Sequence, residues 1–224
     1  MSLARAIALV ERHGILLVFP LANRAEPKSL WSVLHPRTPM RWEWDETGDG
    51  RVVALWHARR ELAESRAVVY SKWFRGRATL FAMDVFRAIL VSLAVDAPLT
   101  AGLSPDARAL LEILEDDSPQ STKTLKRTAG MQGRAMEAAY TRALKELWSR
   151  LLVVGAGEEE DGAFPSLSIG ATRLLFEDLW TEAEQAARGG APSSEDAARL
   201  DRTLLDAPSF RRELEKVRAS MKRN

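Results

Sequence analysis

Between Gln120 and Arg150 lie seven cations, Lys123, Lys126, Arg127, Arg134, Arg142, Lys145 and Arg150, against only two acids, Glu137 and Glu146. In a chain of formal net charge +1 this is a local excess of five positive charges. Lys and Arg on an open surface neutralise phosphates and release condensed counterions, which favours a polyanion whatever its sequence. Ser121 and Thr122, with the backbone N–H groups of the helix they open, are suited to hold a phosphate. Gln132 and Arg134, at the start of the following helix, stand where base edges are read, and Thr141, Arg142 and Lys145 follow on the same side. The expected contact set for double-stranded DNA is therefore Ser121, Thr122, Lys123, Lys126, Arg127, Gln132, Arg134, Thr141, Arg142 and Lys145.

Three helices and a hairpin must position these side chains. Ser104-Pro105-Asp106 is a strong helix start, a cap followed by proline at the first position, and Leu110, Leu111 and Leu114 supply the buried face. Ser121 or Thr122 caps a second, short helix that ends at Gly130. The third is expected from Arg134 to Arg150, with an apolar stripe of Met136, Tyr140, Ala143, Leu144, Leu147 and Leu151. Arg134, Ala138, Thr141, Arg142 and Lys145 fall on the opposite side. Strands at Leu151–Val154 and Phe164–Ile169 then flank a loop rich in glycine and acids. Three helices followed by a two-stranded hairpin is the order of a winged helix. Glu158, Glu159, Glu160 and Asp161 at the hairpin tip would repel phosphates, so the tip is expected to stay out of a groove or to contact another part of the protein.

The remainder reads as mixed. Leu3–Arg12 has helical spacing and Gly14 stops it; Ile15–Phe19 is a short apolar run expected as a buried strand. Alternation in Arg41–Trp44 and Arg51–Trp56 around Asp45–Gly50 predicts a β-hairpin, and a helix follows near Ala58–Glu64. Val68–Phe74 and Thr79–Phe81 are candidate strands, and Asp84 is expected to cap a helix reaching Ala94. The expected fold class is α+β, mainly helical. It comprises an N-terminal α+β region (1–95), a winged-helix domain (104–180) and a C-terminal helical extension (195–222), whose two amphipathic helices offer a homodimer contact. Arg59, Arg60, Arg66, Lys72, Arg75 and Arg77 surround Trp73 and Phe74 in a second basic cluster; these aromatics, and Trp31, Trp42, Trp44 and Trp56, are expected in the core.

No cysteine is present, so neither disulfides nor thiolate metal sites form, and His13, His35 and His57 have no metal-ligand spacing. The phosphate-loop pattern G-x-x-x-x-G-K-[ST], the dinucleotide fingerprint G-x-G-x-x-G and the nucleophile elbow G-x-S-x-G are absent. Gly155-Ala156-Gly157 is a fragment of such a fingerprint but precedes four acids. Asp45, Glu46 and Asp49 read as a hairpin turn, and Glu43 and Glu61 as exposed or salt-bridged carboxylates. No catalytic residue, metal or cofactor is expected, nor a membrane association. Interrupted apolar residues at the N-terminus do not form a secretory signal, and a cytoplasmic location is expected.

The segments KWFRGRATLFAMDVFRAIL (72–90), SPDARALLEIL, TLKRTAGMQGR and RALKELWSRLLVVGAGEEEDG resemble AlkZ-related winged-helix proteins, which are distantly similar to the AlkZ/YcaQ crosslink-repair DNA glycosylases. The resemblance extends over most of 15–180. It implies a helical protein, rich in winged-helix structure, that handles DNA in connection with repair. The Gln-x-Gln motif of the glycosylases has no counterpart, because Gln120, Gln132 and Gln185 are widely separated. Two readings stand beside DNA binding: a winged helix used for protein contacts, and a glycosylase-like repair enzyme.

Overall fold

The run Ile15-Leu16-Leu17-Val18 is apolar at every position because both faces of the strand it forms are covered. Ile15 and Leu17 point into one hydrophobic core, Leu16 and Val18 into another. Val69 joins the first core while Val68 and Tyr70 join the second, and Phe81 and Leu80 divide in the same way. Alternate side chains of a strand face opposite sides, so a sheet packed on both faces has no polar stripe.

The computed structural model describes residues 1–42, 49–190 and 192–222. In chain order the elements are α1 (Leu3–His13), β1 (Ile15–Leu17), α2 (Leu30–Leu34), α3 (Gly50–Ser65), β2 (Val69–Ser71), β3 (Thr79–Phe81), α4 (Met83–Asp96), α5 (Pro105–Asp116), β4 (Gln120–Ser121), α6 (Thr122–Thr128), α7 (Glu137–Ser149), β5 (Val153–Glu159), β6 (Ser166–Ala171), α8 (Thr172–Leu175), α9 (Glu177–Arg188), α10 (Ser194–Leu205) and α11 (Pro208–Met221). The fold is α+β and mainly helical. Six antiparallel strands run in the order β1-β3-β2-β5-β6-β4, so the hairpin β5–β6 continues the sheet of the first region. Helices α1–α3 contribute to one core; α4, α5, α7 and α9–α11 contribute to the other.

The second strand of the expected Arg41–Trp56 hairpin is instead the start of α3. Asp49 caps this helix by accepting the Arg51 N–H at 2.9 Å, and Val52, Leu55, Arg59 and Leu62 recur at helical spacing along its buried side. The alternation of Val53 and Leu55 is a weaker pattern than this three-to-four repeat. Positions Glu43, Trp44, Asp45 and Glu46 lie outside the described residues, and Glu61 is exposed on α3. Trp31, Trp73 and Phe74 are buried as expected, whereas Trp42 and Trp56 are 47% and 40% exposed and contact Phe19. Ala82, not Asp84, is the cap position of α4, and α7 begins at Glu137 because Arg134–Met136 form a turn. Met136 is accordingly exposed rather than part of the stripe. Helix α9 has no counterpart among the expected elements, although Trp180 and Ala183, three residues apart and both buried, mark its inner side.

Gly155 explains part of the glycine-rich segment. It pairs with Tyr70 across β5 and β2, and a Cβ there would stand inside the van der Waals envelope of the buried Tyr70 ring. Gly155→Ala is therefore expected to cost about 1–3 kcal/mol through overpacking. A urea-unfolding midpoint matching that of the parent protein would contradict this close packing.

Candidate nucleic-acid interface

The apolar side of α7, Tyr140, Ala143 and Leu147, is buried, which turns Ala138, Thr141, Arg142 and Lys145 outward together. These four recur at three- and four-residue intervals and so share one helix face. Arg134 and Gln132 lie just before α7 and are exposed. Among the described residues Arg134, Arg142 and Lys145 form no ion pair. Arg127, exposed near the end of α6, donates to Thr124 Oγ1 at 3.3 Å and likewise has no carboxylate partner.

Neither acid of this stretch opposes the cations freely. Glu146 reaches inward, accepting from Ser104 Oγ at 2.7 Å and from Arg150 at 3.2 Å. Arg150 is buried, and its guanidinium donates to the carbonyls of Leu99, Ala101 and Gly102, so it ties down the connection between α4 and α5 instead of reaching solvent. Burial lowers its pKa, with Glu146 opposing that shift. Glu137 pairs with Lys126, whose ammonium also lies 5.5 Å from the centre of the Tyr140 ring. The Tyr140 hydroxyl donates to the Thr122 carbonyl at 2.8 Å, joining the start of α7 to the start of α6. Burial, followed by the charge of Glu137, raises the Tyr140 pKa and keeps the phenol protonated.

Glu158 and Glu159 are the last residues of β5 and not part of the hairpin tip, because β5 runs on to pair with β6 as far as Glu159 and Ser166. Glu158 pairs with Arg59 of α3, and Glu159 accepts from Ser168 Oγ at 2.5 Å. Asp161 reaches Lys123 at 3.0 Å and accepts from Ser121 Oγ at 2.5 Å. Hydrogen bonds from Ser121, then Ser166 and Lys123, hold the Asp161 pKa at about 2. This carboxylate therefore stays ionised at neutral pH, where it offsets Lys123 and sits at the start of α6. Ser121 is buried, and its hydroxyl is committed both to Asp161 and to the Thr124 N–H, 3.1 Å away. Thr122 is half-buried. Lys123, Lys126, Arg127, Gln132 and Asp161 border one open cleft between α6 and the turn before α7.

Of the ten expected contact residues, Lys123, Lys126, Arg127 and Gln132 border one cleft, Thr141, Arg142 and Lys145 share the outward face of α7, and their availability is unequal. Arg127, Gln132, Arg134, Thr141, Arg142 and Lys145 face solvent. Lys123 and Lys126 carry carboxylate partners, and Ser121 is enclosed. In the second basic cluster, Arg59 is buried, lies 4.4 Å over the Trp56 ring and pairs with Glu158. Lys72 is half-buried, and burial followed by the Arg59 charge lowers its pKa. Arg60 and Arg75 meet Glu64 and Glu213 at 3.7 and 3.9 Å. Among the described residues no cluster of His, Asp and Glu suited to a metal ion occurs, and no helix is long and apolar enough to cross a membrane.

An α+β protein with an exposed cationic helix edge beside a two-sided antiparallel sheet is the class that these features define. The chain belongs to the AlkZ-related family, whose model matches residues 1–198. That membership links it to the AlkZ/YcaQ DNA-repair proteins. No curated protein and no solved structure matches the chain.

Proposed function

We propose that this protein binds duplex DNA through a winged-helix unit at 104–180, between an N-terminal α+β region at 1–95 and a helical extension at 195–222. In this reading α7 is the recognition helix. Arg134, Arg142 and Lys145 meet phosphates, Thr141 and Gln132 face the groove, and Arg127 of α6 adds a further phosphate contact. The carrying observation is the outward face of α7: cations that form no ion pair among the described residues, with Glu146 turned inward and Glu137 paired with Lys126. Family membership supports a DNA-repair association. The acidic segment of the hairpin is kept out of the groove in this arrangement, since Glu158 and Asp161 already hold cations of the protein itself.

Fluorescence anisotropy with a short labelled duplex, at about 50 and about 200 mM salt, tests the proposal. Saturable binding that weakens steeply with salt is expected. No binding at the lower concentration, or binding indifferent to salt, contradicts it. The pairing of Lys123 and Lys126 with carboxylates favours a second reading in which this surface contacts another protein, and that reading takes over if duplex DNA does not bind. A homodimer through the C-terminal helices is the less supported arrangement, because Leu200, Leu204, Phe210, Leu214 and Val217 are already buried within the chain.

A further inference from the structure

Where α10 crosses the turn between α1 and β1, the chain leaves a recess of about 230 Å³. The crossing is close because residue 14 is glycine at φ +74°: a Cβ there would lie 2.8 Å from Thr203 Cγ2. Arg12, His13, Lys28, Arg199 and Arg202 line the recess with a single carboxylate, Asp206, while Ile15 and Phe210 supply apolar wall. Arg199 is committed elsewhere, with Nε 2.6 Å from Asp84 and Nη2 donating to the Glu11 carbonyl at 3.1 Å. Arg12, Lys28 and Arg202 are exposed and, among the described residues, form no ion pair; Asp206 forms none either.

Three cations from separate parts of the chain outnumber the one free carboxylate, Asp206, by two charges across so small a recess, and an anion between them would relieve the remaining repulsion. A phosphate ester carries close to two negative charges and three strong acceptor oxygens, which suit the donor forks of two guanidinium groups. The size of the recess, below that of sites for drug-sized ligands, fits a phosphate with a small attached body. Burial, then the charges of Lys28 and Arg12, lowers the His13 pKa, so at neutral pH the ring offers a neutral hydrogen-bonding partner.

We propose that this recess is a phosphate-binding site in which Arg12, Lys28 and Arg202 neutralise the anion against a wall of Ile15 and Phe210. The site is separate from the α6–α7 surface. Arg199, Arg202, Asp206 and Phe210 lie past residue 198, where the family match ends, so membership does not supply it.

Isothermal titration of the full chain with inorganic phosphate and with pyrophosphate, at ionic strength held constant with sodium chloride, tests the site. Saturable binding is expected for at least one of them, weakened about tenfold or more in Lys28→Ala/Arg202→Ala as charge-assisted hydrogen bonds are lost. Both replaced side chains are exposed, and a circular-dichroism melt checks that the variant folds; Arg12→Ala serves if it does not. Absence of saturable binding by both anions overturns the proposal, as does unchanged affinity in a folded variant. A second arm compares 5′-phosphorylated and 5′-hydroxyl oligonucleotides in protein lacking the α7 cations. Preference for the phosphorylated end, abolished by pyrophosphate, assigns the phosphate to nucleic acid. Equal binding of the two, alongside pyrophosphate binding, assigns it to a small phosphoester.

Discussion

Replacing Arg134, Arg142 and Lys145 together with alanine is expected to weaken duplex binding by about 10²- to 10³-fold near 0.1 M salt. Each cation that neutralises a phosphate contributes roughly 0.9 to the slope of log affinity against log salt, so the triple variant should also flatten that slope by about 2.7. The three side chains are exposed and form no ion pair among the described residues, so the fold should change little in stability. Lys123→Ala/Lys126→Ala provides the contrast. Those ammonium groups must first leave Asp161 and Glu137, and their loss should weaken binding less. Equal losses in the two variants would show that the outward face of α7 is not the principal surface. An unchanged slope in the triple variant would remove α7 from the interface altogether.

Glu158→Ala should destabilise the fold by about 3–5 kcal/mol, the range for removing one partner of a buried ion pair. The side chains of Arg59 and Glu158 are 10% and 12% exposed, and the variant leaves the guanidinium, 4.4 Å from the Trp56 ring and 5.9 Å from the Tyr70 ring, without its carboxylate. Arg59 Nε already lacks a hydrogen-bond partner, so little local compensation is available. The pair also joins α3 to the outer end of β5, and its loss should loosen the hairpin that packs beside α6. Urea unfolding provides the measurement. A cost below about 1 kcal/mol would mean that the pair behaves as an exposed one. The double variant Arg59→Met/Glu158→Leu should recover most of the stability, because an apolar pair of similar bulk avoids the unpaired charge.

Some helix starts and short apolar strands were legible in the sequence because their causes are local, whereas the starts of α3, α4 and α7 were not. Ser104 before Pro105 caps α5 as expected, Thr79–Phe81 is a strand at the expected residues, and the spacing in the last part of the chain corresponds to α10 and α11. The failure at Arg51–Trp56 is also local: a short window of alternating apolar residues competed with the longer helical repeat of Val52, Leu55, Arg59 and Leu62. The basic excess between Lys123 and Arg150 was visible from composition, but the availability of each charge was not. Arg150 is removed from the surface by carbonyls about 50 positions earlier, and Lys123 is offset by an acid 38 positions later.

Residue order and spacing by themselves determined the mixed helical class, the buried character of Ile15–Val18, the concentration of cations and the common face of Thr141, Arg142 and Lys145. These follow from backbone periodicity within one segment. Only the tertiary structure decided that β5 joins β2 in a single sheet, that Glu158 and Asp161 meet Arg59 and Lys123, and that Arg12, Lys28 and Arg202 meet around one recess. Such pairings depend on which distant segments pack together, and that is set by burying the apolar faces of many elements at once rather than by the charged residues themselves.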